Sequence, residues 1–216
     1  MLTLTRRAGE RIHIGDDIVV EVISTGPNRA RIGIRALKSV PIVRGELLEQ
    51  VQAANRSASE PALSGPTHEA IRRRNDALHF PKGLFGFEGF TRWVLCELAN
   101  PPAGGEAIGL RALVAQEAPE IRLLVCDLQL LAPHYPVDRA LAESGLEEEA
   151  ALAVVLNVPA DGRGATVNLA APLVVGLDSR RGVQVILGDA GLGVSTPLRE
   201  LFEPGELSSS AEEARA

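Results

Sequence analysis

A break in the sequence pattern at residues 58–79 divides the chain and predicts two separate domains. Ser, Pro, Gly and Ala dominate this segment, which also carries the basic triplet Arg72-Arg73-Arg74, and no strand periodicity survives in it. Arginines in such a segment are more often solvated charge than a nucleic-acid contact. We therefore predict one domain at 1–57, a flexible linker at 58–79, a second domain at 80–202 and a disordered tail at 203–216.

The first domain is patterned as short strands followed by a helix. Turn residues separate five predicted strands, at 2–6, 11–14, 18–24, 29–35 and 40–43. Within 29–35, isoleucine and alanine alternate with arginine, which predicts a strand with one face in water. From Glu46 onward the apolar residues follow helical spacing. Because so small a unit cannot bury a convincing core alone, we expect a homodimer.

The second domain is also mostly β. Gly- and Pro-rich turns separate predicted strands at 93–98, 110–115, 121–131, 152–158, 166–169, 173–177 and 183–187. One short helix is predicted at 137–144, ended by Gly145. Irregular spacing without βαβ units favours an antiparallel barrel or sandwich. The fold class is therefore mainly β in both domains.

Charge is distributed unequally between the two halves. Residues 1–60 hold 9 of the 22 Lys and Arg residues and 7 of the 28 Asp and Glu residues, which gives this part a net charge of +2. Residues 61–216 hold the remaining 13 basic and 21 acidic residues, which gives this part a net charge of −8. A basic domain can bind a polyanion, which an acidic domain repels. The same charge difference also arises if each half simply carries the surface charge that keeps it soluble.

Catalytic and metal-binding residue types show no converging pattern. The sequence has no phosphate-binding Gly-Lys-Ser/Thr loop and no nucleophile elbow, and its four histidines lack ligand spacing. Cys96 and Cys126 lie in apolar runs, which predicts two buried small hydrophobic residues. We therefore expect a protein that is not an enzyme and uses no cofactor or metal.

Localisation is predicted from the apolar stretches. None reaches the 18 to 20 or so residues of a membrane span, and the N-terminus does not follow the pattern of a secretory signal. We expect a cytoplasmic protein without a membrane partner.

Arginines at strand ends are the best candidates for ligand binding. No aromatic residue precedes Phe80, so the first domain cannot offer an aromatic platform for stacking RNA bases. Leu4 and Arg6 share one face of the first predicted strand, and Arg44 stands between the last strand and the helix. An exposed arginine in such a position can form forked hydrogen bonds to phosphate or to a guanine edge.

The chain opens with MLTLTRRAGE, followed by IGD at 14–16, RIG at 31–33, Ala36 and Lys38, and Arg44 before the helix. In these residues, positions 1–57 resemble the carbon storage regulator family, CsrA. The resemblance implies an interlocked β dimer in which first and last strands from opposite protomers form two sites for GGA in single-stranded or loop RNA. The residues that would line each site are Leu4, Thr5, Arg6, Arg7, Val43 and Arg44, with Arg44 contributing most.

Three positions depart from this family's pattern. Leu37 replaces a usual proline, Val43 stands where histidine is common, and Gly45 replaces a polar residue and loosens the helix start. These departures affect the affinity for RNA more than they affect the fold.

The second domain contains four further blocks, FPKGLFGFEGF at 80–90, NVP at 157–159, TVNLAAPL at 166–173 and QVIL at 184–187. In these blocks, residues 80–202 resemble FliW, a flagellar assembly factor family. The resemblance implies a domain that binds the regulator away from its RNA pocket, chiefly on the C-terminal helix, and that flagellin sequesters. The helix residues that would be contacted are Leu48, Val51, Gln52 and Asn55. Leu48 and Val51 also fit packing against their own sheet, and both roles are compatible.

The two resemblances together predict a translational regulator of flagellin or motility genes that carries its own antagonist. A linker of this length places the second domain at about millimolar effective concentration around the first. Its negative charge would oppose RNA binding without filling the RNA pocket, and flagellin would relieve the inhibition. Docking within one chain or between chains stays open. The alternatives are a flagellin-binding chaperone whose first domain only dimerises, and a constitutive repressor.

Overall fold

The structure is a computed structural model that describes residues 1–37, 40–59, 67–98, 101, 105–159, 164–188 and 191–201. The chain forms two compact units, Met1–Ile42 and Val43–Ala216. The predicted tail at 203–216 lies outside the described residues, as do residues 60–66 of the predicted linker. Both units are mainly β, as the sequence predicts.

The first unit is a three-stranded antiparallel sheet in the order β1-β2-β3. Its strands are β1 (Arg11–Ile14), β2 (Ile18–Gly26) and β3 (Arg29–Arg35). A bulge between Val22 and Ser24 shifts the register of β2 against β3. No described residue of this unit is buried, and Ile14, Ile32 and Ile34 are about half exposed.

The predicted outer strands at 2–6 and 40–43 are not formed in this single chain. Both segments are described, and both lie outside any strand. A strand needs neighbouring backbone N–H and C=O groups to pair with, and within the described part of the first unit β1 and β3 each pair only with β2. The prediction of five strands is therefore wrong for the isolated chain, whereas the three inner strands are confirmed.

The second unit begins with the helix α1 (Gly45–Ser57) and continues with α2 (His68–Arg72). The Thr67 hydroxyl caps α2 by accepting a hydrogen bond from the Ala70 amide. Ile71 is fully buried, and it packs in a cluster with Val94, Cys96, Ala112 and Val114. The prediction of a flexible linker over all of 58–79 is therefore wrong for 67–79, because a helix this short shows no periodicity in the sequence.

A nine-stranded antiparallel sheet makes up most of the second unit. Its strands are β4 (Leu78–His79), β5 (Arg92–Cys96), β6 (Arg111–Ala115), β7 (Arg122–Asp127), β8 (Ala150–Asn157), β9 (Thr166–Val167), β10 (Leu173–Gly176), β11 (Gly182–Gln184) and β12 (Thr196–Pro197). They follow the order β11-β10-β8-β7-β6-β5-β4, with β9 pairing β8 and β12. Between the outer strands the described residues form one isolated bridge, His79 to Arg181. The expected barrel is therefore not closed by a continuous ladder, because β4 and β11 are too short to form one.

Within 80–202 the structure adds short helical segments to the single helix that the sequence predicts. The helix α4 (Val137–Ser144) is confirmed, and Gly145 ends it in a left-handed conformation with φ 66°. The predicted strand 121–131 instead ends at Asp127, whose carboxylate accepts hydrogen bonds from the Gln129 and Leu130 amides and starts α3 (Leu128–Leu131). A 3₁₀ turn, Leu198–Glu200, follows β12.

The core of the second unit lies on both faces of the sheet. One cluster includes Leu128, Val154 and Leu187, and another is built around Phe80 and Trp93. The prediction that both cysteines are buried is confirmed. Burial raises the pKa of the Cys126 thiol to about 12. Among the described residues, no helix is both long and apolar enough to cross a membrane.

Candidate helix-docking site and RNA-binding residues

The residues predicted to bind RNA are distributed between the two units. Leu4, Thr5, Arg6 and Arg7 are exposed in the segment that precedes β1. The Arg7 amide donates to Glu10 Oε2 over 2.8 Å, which orders the end of this segment. Val43 and Arg44 instead belong to the second unit.

Arg44 occupies the N-cap position of α1. Its backbone is extended, with φ −68° and ψ 133°, and its carbonyl oxygen accepts hydrogen bonds from the Leu47 and Leu48 amides. The arginine is exposed while the helix that follows is partly buried. The assignment of Leu4, Thr5, Arg6, Arg7, Val43 and Arg44 to an RNA site remains a prediction.

One face of α1 is buried within the second unit. Val51 and Asn55 lie one helical turn apart and are fully buried, while Leu48 and Gln52 are partly buried. The helix packs against β8. The four helix residues singled out in the sequence therefore share the face that is covered.

A buried pair of carboxamides anchors this face. Asn55 Nδ2 donates to the Phe85 carbonyl oxygen over 2.8 Å and to Gln184 Oε1 over 3.1 Å. Gln184 Oε1 also accepts from the Phe85 amide over 3.0 Å, and Gln184 Nε2 donates to the Ala171 carbonyl. Because Asn55 Nδ2 and both polar atoms of the Gln184 side chain are held in this way, the network sets the position of α1 along the sheet.

A second polar contact lies at the edge of the helix. Gln52 Nε2 donates to Glu88 Oε1 over 2.9 Å, and the Gly86 amide donates to the same oxygen over 2.8 Å. Partial desolvation acts to raise the pKa of Glu88, but the hydrogen bonds from the Gly86 and Glu88 backbone and from Gln52, with the charge of Arg56, outweigh it and hold the pKa below its ordinary value. The ionised carboxylate is therefore the form that this contact favours.

Gly86 allows the turn to approach the helix closely. Its φ is +88°, and a Cβ atom added there would lie 2.9 Å from the Gln52 carbonyl oxygen and 3.3 Å from Arg56 Cγ. Only glycine adopts this conformation and leaves this space without strain. Gly86 therefore serves both the turn and the contact with the helix.

The end of α1 is also attached to the sheet. Asn157 Nδ2 donates to Ser57 Oγ over 3.3 Å, Ala58 is buried, and Ser59 forms an isolated antiparallel bridge with Leu123 of β7. Contacts from Val51 to Ser59 therefore attach the second half of α1 and the residues after it to the sheet.

The described residues contain no group of three or more His, Cys, Asp or Glu side chains arranged to hold a metal ion. The polar residues gathered around α1 are carboxamides, hydroxyls and one carboxylate, in contact with backbone groups. This arrangement is suited to holding a helix.

Comparison with known proteins assigns both parts of the chain. Residues 67–198, more than half of the chain, match the family model for FliW protein, and residues 1–53 match that for the CsrA global regulator protein family. The chain belongs to the FliW family and, through its N-terminal residues, to the CsrA family. We call residues 1–53 the CsrA segment and residues 67–198 the FliW segment. The CsrA segment includes most of α1, and the FliW segment begins with the cap of α2.

Individual relatives agree with this division. The flagellar assembly factor FliW of Symbiobacterium thermophilum is 33% identical over 129 residues, which are 57% of this chain and 90% of the relative. The translational regulator CsrA of Desulforapulum autotrophicum is 53% identical over 55 residues, 26% of this chain and 68% of the relative. The translational regulator CsrA of Thermotoga maritima is 52% identical over 60 residues, which are 28% of this chain and 72% of the relative. A crystal structure of the flagellar assembly factor FliW aligns with a TM-score of 0.48 and 26% identity over 58% of this chain and 87% of that chain.

Sequence reasoning missed the FliW-segment residues that contact α1. These are Phe85, Gly86, Glu88, Asn157 and Gln184. All of them fall within the blocks that carry the FliW resemblance, at 80–90, 157–159 and 184–187. The blocks were a usable signal, but nothing in them shows which side chain meets the helix.

Proposed function

We propose that this protein is a post-transcriptional regulator that binds GGA-containing mRNA leaders through its CsrA segment and is inhibited by its own FliW segment. The observation that carries the proposal is the burial of Val51 and Asn55 of α1 against the FliW segment. The names of the relatives, a translational regulator and a flagellar assembly factor, support control of flagellin or motility transcripts. No catalytic step is part of this function, and we place it in the cytoplasm.

The first unit supports a homodimer formed through residues 1–57. Its sheet has two open edges, its described residues form no buried core, and the flanking segments 2–6 and 40–43 have no strand partner within the described chain. A second copy would pair these edges and cover the exposed isoleucines. The proposed RNA sites, lined by Leu4–Arg7 of one copy and Val43–Arg44 of the other, then form on dimerisation.

Inhibition within one chain is supported by the position of α1. The helix lies in the same compact unit as the FliW segment, and only residues 60–66 separate Ser59 from Thr67 in the sequence. A tether this short keeps the two parts at about millimolar effective concentration. The docked state is therefore the ground state of the chain.

The proposed inhibition does not block the RNA pocket. Arg44, at the helix start, is exposed, whereas the buried contacts begin one to two turns later. The net charge of −8 over residues 61–216 raises the electrostatic cost of bringing phosphates to the arginines. We propose that flagellin, by binding the FliW segment, releases α1 and so relieves the inhibition.

A gel-shift titration of a GGA hairpin tests this function. The full chain should bind weakly alone and at least tenfold more tightly with flagellin, and a hairpin with GGA changed to CCA should show neither effect. Arg44→Ala should abolish binding in both conditions, while Arg29→Ala, a change of another exposed arginine, should alter it little. Absence of GGA binding by a dimeric, folded chain with flagellin would overturn the proposal.

The alternative is a flagellin-binding assembly chaperone whose CsrA segment serves mainly for dimerisation. It is favoured by the extent to which α1 is integrated into the FliW unit. In that case Arg44→Ala would leave every RNA measurement unchanged, and flagellin would bind the chain without affecting RNA.

A further inference from the structure

The turn between β10 and β11, residues 177–181, is held from two sides. All of its residues are exposed. On one side, the Glu148 carboxylate accepts hydrogen bonds from two backbone amides of the turn, each over 3.0 Å, and from the Ser179 hydroxyl. On the other side, Arg180 Nη1 donates to the Asp76 carbonyl oxygen over 2.8 Å. The turn therefore ties the segment before β8 to the segment before β4.

Arg180 has a backbone conformation that a residue with a Cβ atom disfavours. Its φ is 55°, and among the described residues it is the only one other than glycine with a positive φ. Such a conformation is strained and persists only where the surroundings impose it. The Arg180 amide donates to the Gly176 carbonyl oxygen over 3.1 Å, and the Arg180 carbonyl oxygen accepts from the His79 amide over 2.9 Å. The contacts around the turn therefore keep it in a conformation that it would leave without them.

The same turn joins the two outer strands of the sheet. Within the described residues, β4 meets the chain that leads into β11 at the isolated bridge between His79 and Arg181. Beside this bridge the Phe80 ring lies against Gly182, where an added Cβ would overlap the ring. The ladder of β11 is formed with β10. Because no ladder joins β4 to β11, the turn and this ring contact set the spacing between them.

That spacing affects α1 because the two outer strands lead to the acceptors of the Asn55 amide. Phe85 lies in the segment that follows β4, and Gln184 is the last residue of β11. Asn55 Nδ2 donates to the Phe85 carbonyl oxygen and to Gln184 Oε1 at once. One NH₂ group serves two acceptors only while both stay within hydrogen-bond distance. Movement of β4 relative to β11 would therefore break at least one of the two hydrogen bonds.

We propose that the turn 177–181 is a clasp that sets how firmly α1 is docked. By fixing β4 against β11, the clasp keeps both acceptors within reach of Asn55, and opening the clasp releases the helix. It acts through the two strands, from the surface of the molecule. The inference rests on the proposed function, in which docking of α1 inhibits RNA binding, and it adds the element that controls the docking.

Hydrogen exchange of the α1 backbone amides in the full chain tests the clasp. Glu148→Ala and Arg180→Ala each remove one of its two ties and should speed opening of α1 by roughly three- to thirtyfold, as expected for the loss of one or two hydrogen bonds. The amides of β7, in the middle of the sheet, should keep their protection. Glu149→Ala and Arg199→Ala change exposed side chains of the same types and should have no effect. No acceleration in α1, or equal acceleration in α1 and β7, would overturn the inference.

The effect must also pass through Asn55. In an Asn55→Ala background, or Asn55→Ser if alanine leaves α1 unprotected, Glu148→Ala should speed opening by no more than about twofold. Val51→Ala weakens docking through an apolar contact instead, so in that background the full acceleration should remain. Equal acceleration in the two backgrounds would overturn the inference. If Glu148→Ala does not fold, Ser179→Ala removes one hydroxyl of the same tie and takes its place.

Two further outcomes separate this inference from the proposed function. Unprotected α1 amides in the unsubstituted chain would overturn the docked helix itself. Faster opening of α1 in the clasp variants without tighter binding of the GGA hairpin would support the clasp and overturn inhibition by docking.

Discussion

Asn55 Nδ2 lies 3.1 Å from Gln184 Oε1, so a buried amide pair joins the CsrA-type helix to a strand of the FliW-type sheet. A polar anchor specifies position more than it adds affinity, because each buried amide must find its partner in one register. Asn55 Oδ1 is itself buried without a partner among the described residues. The cost of burying this unpaired oxygen opposes the stabilisation that the buried Val51 side chain contributes, which suits the contact between α1 and the sheet to reversible docking.

Asn55→Asp should release α1. The carboxylate would replace a donor that serves two acceptors, the Phe85 carbonyl and Gln184 Oε1, and would bury a charge against them. We expect docking to weaken by about 3 kcal/mol or more, seen as faster hydrogen exchange in α1 and tighter GGA binding. Gln50→Glu, the same chemical change at an exposed position of the helix, should do neither. Unaltered α1 protection in the Asn55→Asp variant would contradict the anchor.

Gly86→Ala should also weaken docking. The new Cβ would meet the Gln52 carbonyl oxygen at 2.9 Å, in a backbone conformation with φ +88°, so both strain and the clash push the turn from the helix. We expect a loss of roughly 1 to 3 kcal/mol, measured by α1 hydrogen exchange. Gly89→Ala is the matched control, since a Cβ there has no neighbour within 4 Å among the described atoms. Equal effects of the two substitutions would argue against a close approach at Gly86.

Acidification should weaken the Gln52–Glu88 contact. The pKa of Glu88 is lowered in the folded chain, so its stabilising contribution is present above the ordinary carboxyl range, about pH 4, and is lost as pH falls through the lowered folded pKa. Thermal unfolding of the wild type and of Glu88→Gln should differ near pH 7 and converge below about pH 4. Because Glu88 is exposed, we expect the difference to be modest. A difference in thermal stability between the wild type and Glu88→Gln that grows on acidification would contradict this prediction.

Ile71→Ala should destabilise the FliW unit. Ile71 is fully buried and packs against Val94 and Cys96, so its truncation removes apolar burial and leaves a cavity. Chemical denaturation should report a loss of roughly 2 to 5 kcal/mol in the free energy of unfolding. His68→Ala, on the same helix but exposed, should cost far less. A negligible effect of Ile71→Ala would restore the interpretation of 67–79 as a linker.

Short-range patterns in the sequence predict much of the fold. The alternation in 29–35 places β3, and the apolar setting of Cys96 and Cys126 places both in the core. Gly145 ends α4 where expected, because a left-handed residue is a local property of the chain. Each of these features depends on residues within one or two turns of each other.

Contacts between distant residues had to come from the tertiary structure. The segments 2–6 and 40–43 have strand-like sequences but form no strand in the described chain, because a strand exists only with a partner. Asn55 and Gln184 are 129 positions apart, so only the tertiary fold brings their side chains together. Local periodicity decides which face of an element is apolar, whereas packing in three dimensions decides what that face meets.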